Sequence, residues 1–158
     1  MDTDSKSIAP EDPQRRELLV IQSREHLLGI FTEHVAGIAN GKVPAPLPRA
    51  PASVLGVIAF RGRMLTVIDP LLLMGDSGIA GSPTIIVALS GEEQVAIIAD
   101  SSCGAIQISA ADIEGVDEDN AGIISGTLRR ESELIEIIDV SRLFGATMQQ
   151  RERRRRRF

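Results

Sequence analysis

The chain has 158 residues, 43% hydrophobic and 25% charged, enough for one globular domain or for two small units sharing a core. It has no Trp or Tyr and only four Phe, so functions resting on base stacking or aromatic cages are poorly supplied. No apolar window of about 18 residues points to a membrane-spanning helix, and the net charge of −5 is uneven: "RERRRRRF" at 151–158 carries +5, leaving −10 on residues 1–150.

Taken in chain order, residues 1–16 are polar, include Pro10 and Pro13, and lack an apolar period, so a disordered segment is expected. They also lack the apolar core of a signal peptide, which makes the cytoplasm the expected compartment. From Leu18 onward, short runs of Ile, Val and Leu are broken by Gly, Pro or charge every eight to twelve residues. That spacing predicts a mainly β protein with strands at 18–22, 27–31, 57–60, 64–68, 84–89, 95–99, 126–130 and 134–138. Asp69 is placed to cap a short helix with Pro70 at its first position. The Gly/Ser-rich segment 76–83 reads as a linker between a first β unit of about 17–75 and a second of about 84–146. Ser109 and Asp112 stand in capping-box spacing and predict another turn. Asp139 is placed to cap "VSRLF", with Gly145 closing that helix. Residues 148–158 are expected to be a disordered, arginine-rich tail.

The chain also repeats itself. At an offset of 70, "MLTVIDPLLLMG" (64–75) lies over "LIEIIDVSRLFG" (134–145), and Gly56 lies over Gly126. At an offset of 68, "REHLLGIFTEHVAGI" (24–38) lies over "EEQVAIIADSSCGAI" (92–106). Two matches in the same order predict two similar β units, each expected to close into a small barrel that protects its edges. The offset of 70 also sets the tip Arg61-Gly62-Arg63 over Glu131-Ser132-Glu133, so the scaffold recurs while the tip charges reverse. Arginine's planar fork suits either backbone carbonyls at the barrel junction or a partner's carboxylate, and the sequence leaves both open for Arg61.

Catalytic patterns find little support. "GDSG" at 75–78 resembles a serine protease loop, with His34 and Asp100 as conceivable partners, but Ser77 falls in the linker. Asp69 and Asp139 lack the residues that follow an aspartic protease dyad, so capping is the better reading. His26, beside Arg24 and Glu25, fits a hairpin tip, and neither it nor His34 stands in metal-ligand spacing. No Walker or Rossmann glycine pattern occurs, so no cofactor is expected. Cys103, the only cysteine, reads as a small core residue.

The segment "LPRAPASVLGVIAFRGRMLTVIDPLLLMG" (47–75) resembles the central signature of CheW-like chemotaxis coupling proteins. "LLVIQSREHLLGIFTEHVAGI" is similar to that family's opening hairpin and V-x-E-I segment, "TIIVALSGEEQVAIIADSSCGAI" to its second hairpin, and "ELIEIIDVSRLFG" to its closing strand and helix. The resemblance spans about residues 18–145. It implies two small five-stranded SH3-like β-barrels with a few short helices. It also implies a non-catalytic adaptor that bridges the cytoplasmic tips of methyl-accepting chemoreceptors and the regulatory domain of a CheA-type histidine kinase, recruited to membrane-associated receptor arrays. Receptor contacts are then expected near the groove between the barrels, and kinase contacts at barrel ends. Val35 matches the family valine, Gly56 the glycine before V-I, and Arg61-Gly62 the R-G pair; with Arg63 these form the candidate partner-binding set. Three positions depart from the pattern: Gly37 replaces an acidic residue, Ala59 an asparagine and Phe60 a leucine. The arginine tail keeps one alternative open, a small β-barrel that binds nucleic acid through 151–158; the acidic body and the few aromatics make nucleic acid the less favoured partner.

Overall fold

The apolar runs become strands because their β-branched residues fit a pleated, buried surface. The computed structural model describes residues 14–76, 85–117 and 122–156. These form β1 (Arg15–Ser23), β2 (His26–Phe31), β3 (Val35–Asn40), β4 (Val54–Phe60), β5 (Arg63–Ile68), helix α1 (Pro70–Leu73), β6 (Ile85–Leu89), β7 (Val95–Ala99), β8 (Ser101–Ser109), β9 (Glu114–Gly115), β10 (Ile124–Arg130), β11 (Glu133–Ile138) and helix α2 (Val140–Arg156). Single 3-10 turns lie at Thr32–His34 and Ala110–Asp112, the second capped by the Ser109 side chain.

The repeat is present in three dimensions, register included. Hairpin β4–β5 pairs Gly56 with Val67 and carries a bulge between Val54 and Gly56. Hairpin β10–β11 pairs Gly126 with Ile137 and carries its bulge between Ile124 and Gly126, each position 70 residues on. Even the loop bonds repeat: Asp69 N–H donates to Ser53 O at 2.8 Å, and Asp139 N–H donates to Ile123 O at 2.7 Å.

Neither sheet, however, is built from one half of the chain. The five-stranded sheet runs β3-β6-β7-β5-β4 and the six-stranded sheet β8-β1-β2-β11-β10-β9. Each half lends its first hairpin to the other half's sheet, where it lies parallel to β5 or β11. The expected consecutive units, 17–75 and 84–146, therefore interlock instead of each forming a sheet. Periodicity encodes which face of a strand is buried, not which strand lies beside it. All but Asp76 of the linker expected at 76–83, and most of the N-terminal segment 1–16, lie outside the described residues; β1 already begins at Arg15.

The exchange explains the unbroken apolar runs. In β6, Ile85, Val87 and Leu89 enter a central core shared by both sheets, while Ile86 and Ala88 enter the core of the five-stranded sheet. In β1, Leu19 and Ile21 join the central core, while Leu18 and Val20 join that of the six-stranded sheet. The exchanged strands are buried on both faces and so show no alternation.

Several expectations need correcting. Among the described residues neither sheet closes into a barrel: β8 and β9 end one sheet, β3 and β4 the other. Helix α2 does not stop at Gly145 but continues to Arg156, so most of the arginine-rich tail is helical. Gly145 lacks the positive φ that ends a helix, whereas Gly75 (φ 85°) has it directly after α1. Leu143 and Thr147 hold the helix against the core on either side of Gly145, and arginine is itself a good helix former. Cys103 is exposed on β8, not in the core.

Candidate functional site

Hairpin β4–β5 turns through two residues, Arg61 (φ 51°) and Gly62 (φ 78°), the positive-φ pair that a tight hairpin requires. That conformation throws both arginine side chains outward, where each finds a neighbouring backbone. Arg61 Nη1 donates to Ala36 O of β3 at 2.9 Å, and its guanidinium lies 4.8 Å from the centroid of the Phe60 ring. Arg63 Nη2 donates to Gly91 O of the β6–β7 turn at 3.0 Å. The tip is exposed from Arg61 through Met64, so the guanidinium groups are anchored on one side and open to solvent on the other.

The departures from the family pattern meet at this spot. A Cβ on Gly37 would lie 2.8 Å from Phe60 Cζ and 3.2 Å from Arg61 Nη2. The larger ring at 60 and the arginine thus occupy the space in front of residue 37, and glycine leaves it free for them.

Gly56 has a different environment. It is buried at φ 145°, and a Cβ there would lie 2.2 Å from Ala45 O. The segment before β4 crosses at this point, with Ala45 and Val57 exchanging backbone hydrogen bonds at 2.9 Å. Gly126 repeats the arrangement beneath β9, where a Cβ would lie 2.9 Å from Glu114 O. Val35 is half-buried against the central core. Arg61, Gly62 and Arg63 therefore form one exposed unit, while Val35 and Gly56 support the strands that carry it.

Sequence reasoning missed two features. The first is an apolar groove of about 460 Å³ between the 47–51 loop, hairpin β4–β5 and α2, where Leu47, Phe144 and Met148 each stay about 40% exposed over Val54 and Ile68. Its signal was the i, i+4 spacing of Phe144, the last residue of the expected helix, and Met148 beyond it. The second is a bridge centred on His26. Its Nε2 lies 2.8 Å from Asp76 Oδ2 and its Nδ1 3.0 Å from Glu136 Oε1, joining the β1–β2 hairpin to β11 and to the segment after α1.

The Glu136 hydrogen bond, with a smaller contribution from Asp76, raises the His26 pKa above its ordinary 6.5 despite partial burial. A folded-state pKa above the unfolded value stabilises the fold fully below about pH 6.5 and stops doing so as pH climbs through the raised folded value. Thermal melts are expected to fall as pH rises above about 6.5, and to flatten there in His26→Gln. A wild-type profile as flat as that of the variant would contradict the bridge.

The conceivable catalytic groups do not converge. Asp69 accepts from Leu71 N–H at 3.0 Å and Asp139 from Ser141 N–H at 3.1 Å, so each carboxylate caps its own helix. Asp100 Oδ2 accepts from Arg24 N–H at 2.7 Å, and Ser77 lies outside the described residues.

Over residues 12–148 the sequence matches the model of the CheW-like domain. The chain belongs to the CheW-like family. It is 28% identical over 110 residues to protein FrzA of Myxococcus xanthus, covering 68% of this chain and 69% of that protein. Its fold is similar to the crystal structure of the scaffolding protein TtCheW from Thermoanaerobacter tengcongensis, with a TM-score of 0.69 and 24% identity over 78% of this chain and 88% of that one. Membership places the protein among the scaffolding and coupling components of chemotaxis-type signalling. Within the family frame, the β4–β5 tip lies at one end of the five-stranded sheet, and the apolar groove lies along its flank beneath α2.

Proposed function

We propose that this protein is a non-catalytic adaptor that couples the cytoplasmic tips of methyl-accepting chemoreceptors to the regulatory domain of a CheA-type histidine kinase, and that it is recruited to membrane-associated receptor arrays through these contacts. The observation that carries the reading is the CheW-like match across residues 12–148. Two surfaces divide the work. The exposed tip Arg61-Gly62-Arg63 meets acidic side chains of the kinase domain, supported from below by Val35 and Gly56. The apolar groove over Val54 and Ile68 takes the apolar face of a receptor tip helix, with Leu47, Phe144 and Met148 as its rim.

The test is a pull-down of purified protein against receptor tip fragments and, separately, against the kinase regulatory domain. Retention of both is expected, and Phe144→Asp should release the receptor fragment while leaving the kinase domain bound. Retention of neither would sink the adaptor reading.

A further inference from the structure

The two sheets differ at the place where their repeat should make them alike. In the five-stranded sheet, the seam between edge strands β3 and β4 is stitched shut. Arg61 donates to Ala36 O, the Phe60 ring covers Gly37, and Lys42 Nζ reaches Ala59 O. In the six-stranded sheet the corresponding strands are β8 and β10, with the two-residue β9 added outside β10. Glu131, which takes the place of Arg61, has no donor to offer an edge carbonyl. β9 covers only Gly126 and Thr127 of β10, leaving Leu128–Arg130 without a strand partner on that side. Among the described residues β8 pairs with β1 alone.

What remains is an open groove of about 520 Å³ between Gln107–Ser109 on one wall and Leu128–Arg130 on the other. Its floor includes Ile108 and Leu128, both buried. Arg15, Arg129 and Arg130 line it, and no hydrogen bond or ion pair among the described residues engages their side chains. Asp112 and Glu114 line it too, so the groove carries one positive charge in excess on a body that is otherwise strongly acidic.

Strand β8 carries a bulge at Cys103, where its register with β1 shifts, but lacks the other usual protections of an edge. Its nine residues, "SSCGAIQIS", contain no charge and no proline. We infer that the β8 edge is a strand-addition site for an acidic extended peptide segment of a partner protein, which pairs with β8 and sets its carboxylates against Arg129 and Arg130. Backbone hydrogen bonds supply affinity in such a contact, and the arginines select for acidic residues. The inference does not depend on the adaptor reading, since it rests on residues shared with neither the tip nor the apolar groove.

The probe is a fluorescein-labelled peptide of alternating glutamate and threonine, about eight residues long to match an ordinary strand. Two controls carry lysine in place of glutamate, or proline in place of threonine. Anisotropy is expected to show binding of the glutamate peptide only. The double variant Arg129→Glu, Arg130→Glu should weaken it at least about tenfold with an unchanged melt. Hydrogen exchange should slow at amides within 101–109 in the complex. Equal binding of either control, protection elsewhere, or no binding of the glutamate peptide to the wild type would overturn the inference. So would β8 amides already protected in the free protein: in a sedimenting dimer they would assign the edge to a second copy, in a monomer to the chain's own terminal residues.

Discussion

Replacing Gly56 with alanine is expected to lower the melting temperature by about 6–20 °C. Two costs fall on one methyl group. A non-glycine residue at φ 145° adopts a conformation that costs about 1–3 kcal/mol. Its Cβ would also stand 2.2 Å from Ala45 O and 2.6 Å from Ala45 C, both backbone atoms held by the Ala45–Val57 hydrogen bonds. Neither atom swings away as a side-chain end would, so the crossing segment must detach from β4. A total of about 3–5 kcal/mol follows, among the larger costs of a single substitution, and each kcal/mol moves the melt of a domain this size by about 2–4 °C. Two further glycines grade the effect. Gly126→Ala meets the Ile113 side chain at 2.6 Å and Glu114 O at 2.9 Å without a positive φ, so its cost is intermediate. Gly62→Ala has φ 78° and open space, so only backbone strain of about 1 kcal/mol remains. A melt of Gly56→Ala no lower than that of Gly62→Ala would refute the crossing-segment account.

That glycine shows what a sequence carries and what it withholds. The offset of 70 between Gly56 and Gly126 was visible in the chain, and so were both helix-capping aspartates and the eight strongly apolar strands. The reason for the two glycines was not visible, because the segments that cross them, around Ala45 and Glu114, have no apolar period. Strand β3 escaped for a similar reason: Gly37 splits its apolar residues into two short pairs, Val35-Ala36 and Ile38-Ala39, and exposure alternates along Val35–Asn40. Strand β8 is exposed over Ser101–Ala105, so burial left no trace in its composition. The hairpin exchange was illegible in principle, since an apolar run buried on both faces reads alike in either sheet. The tip arginines were legible as exposed turn residues, but their carbonyl partners, Ala36 and Gly91, lie 25 and 28 residues away in sequence.

Those carbonyl bonds set the terms for the functional test of the tip. Arg61→Glu and Arg63→Glu together remove two exposed hydrogen bonds and one cation–π contact, about 1–3 kcal/mol in all. The double variant should therefore still fold and melt cooperatively, no more than about 12 °C below the wild type. Binding to the kinase regulatory domain should fall far more, by at least about tenfold, because each reversed charge turns an attraction into a repulsion across the interface. Arg61→Gln with Arg63→Gln separates the two roles. Glutamine keeps a donor for Ala36 O and Gly91 O but carries no charge, so its melt should stay near the wild type while its binding falls to an intermediate value. The wild-type interaction should also weaken as salt rises, and the glutamine variant should lose most of that dependence. If both variants bind like the wild type, the arginines serve only to hold the hairpin against β3 and the β6–β7 turn. If the glutamate variant no longer melts cooperatively, the carbonyl bonds are the tip's main contribution. Only a folded variant with lost, salt-sensitive binding supports a tip that is anchored from within in order to present its charge outward.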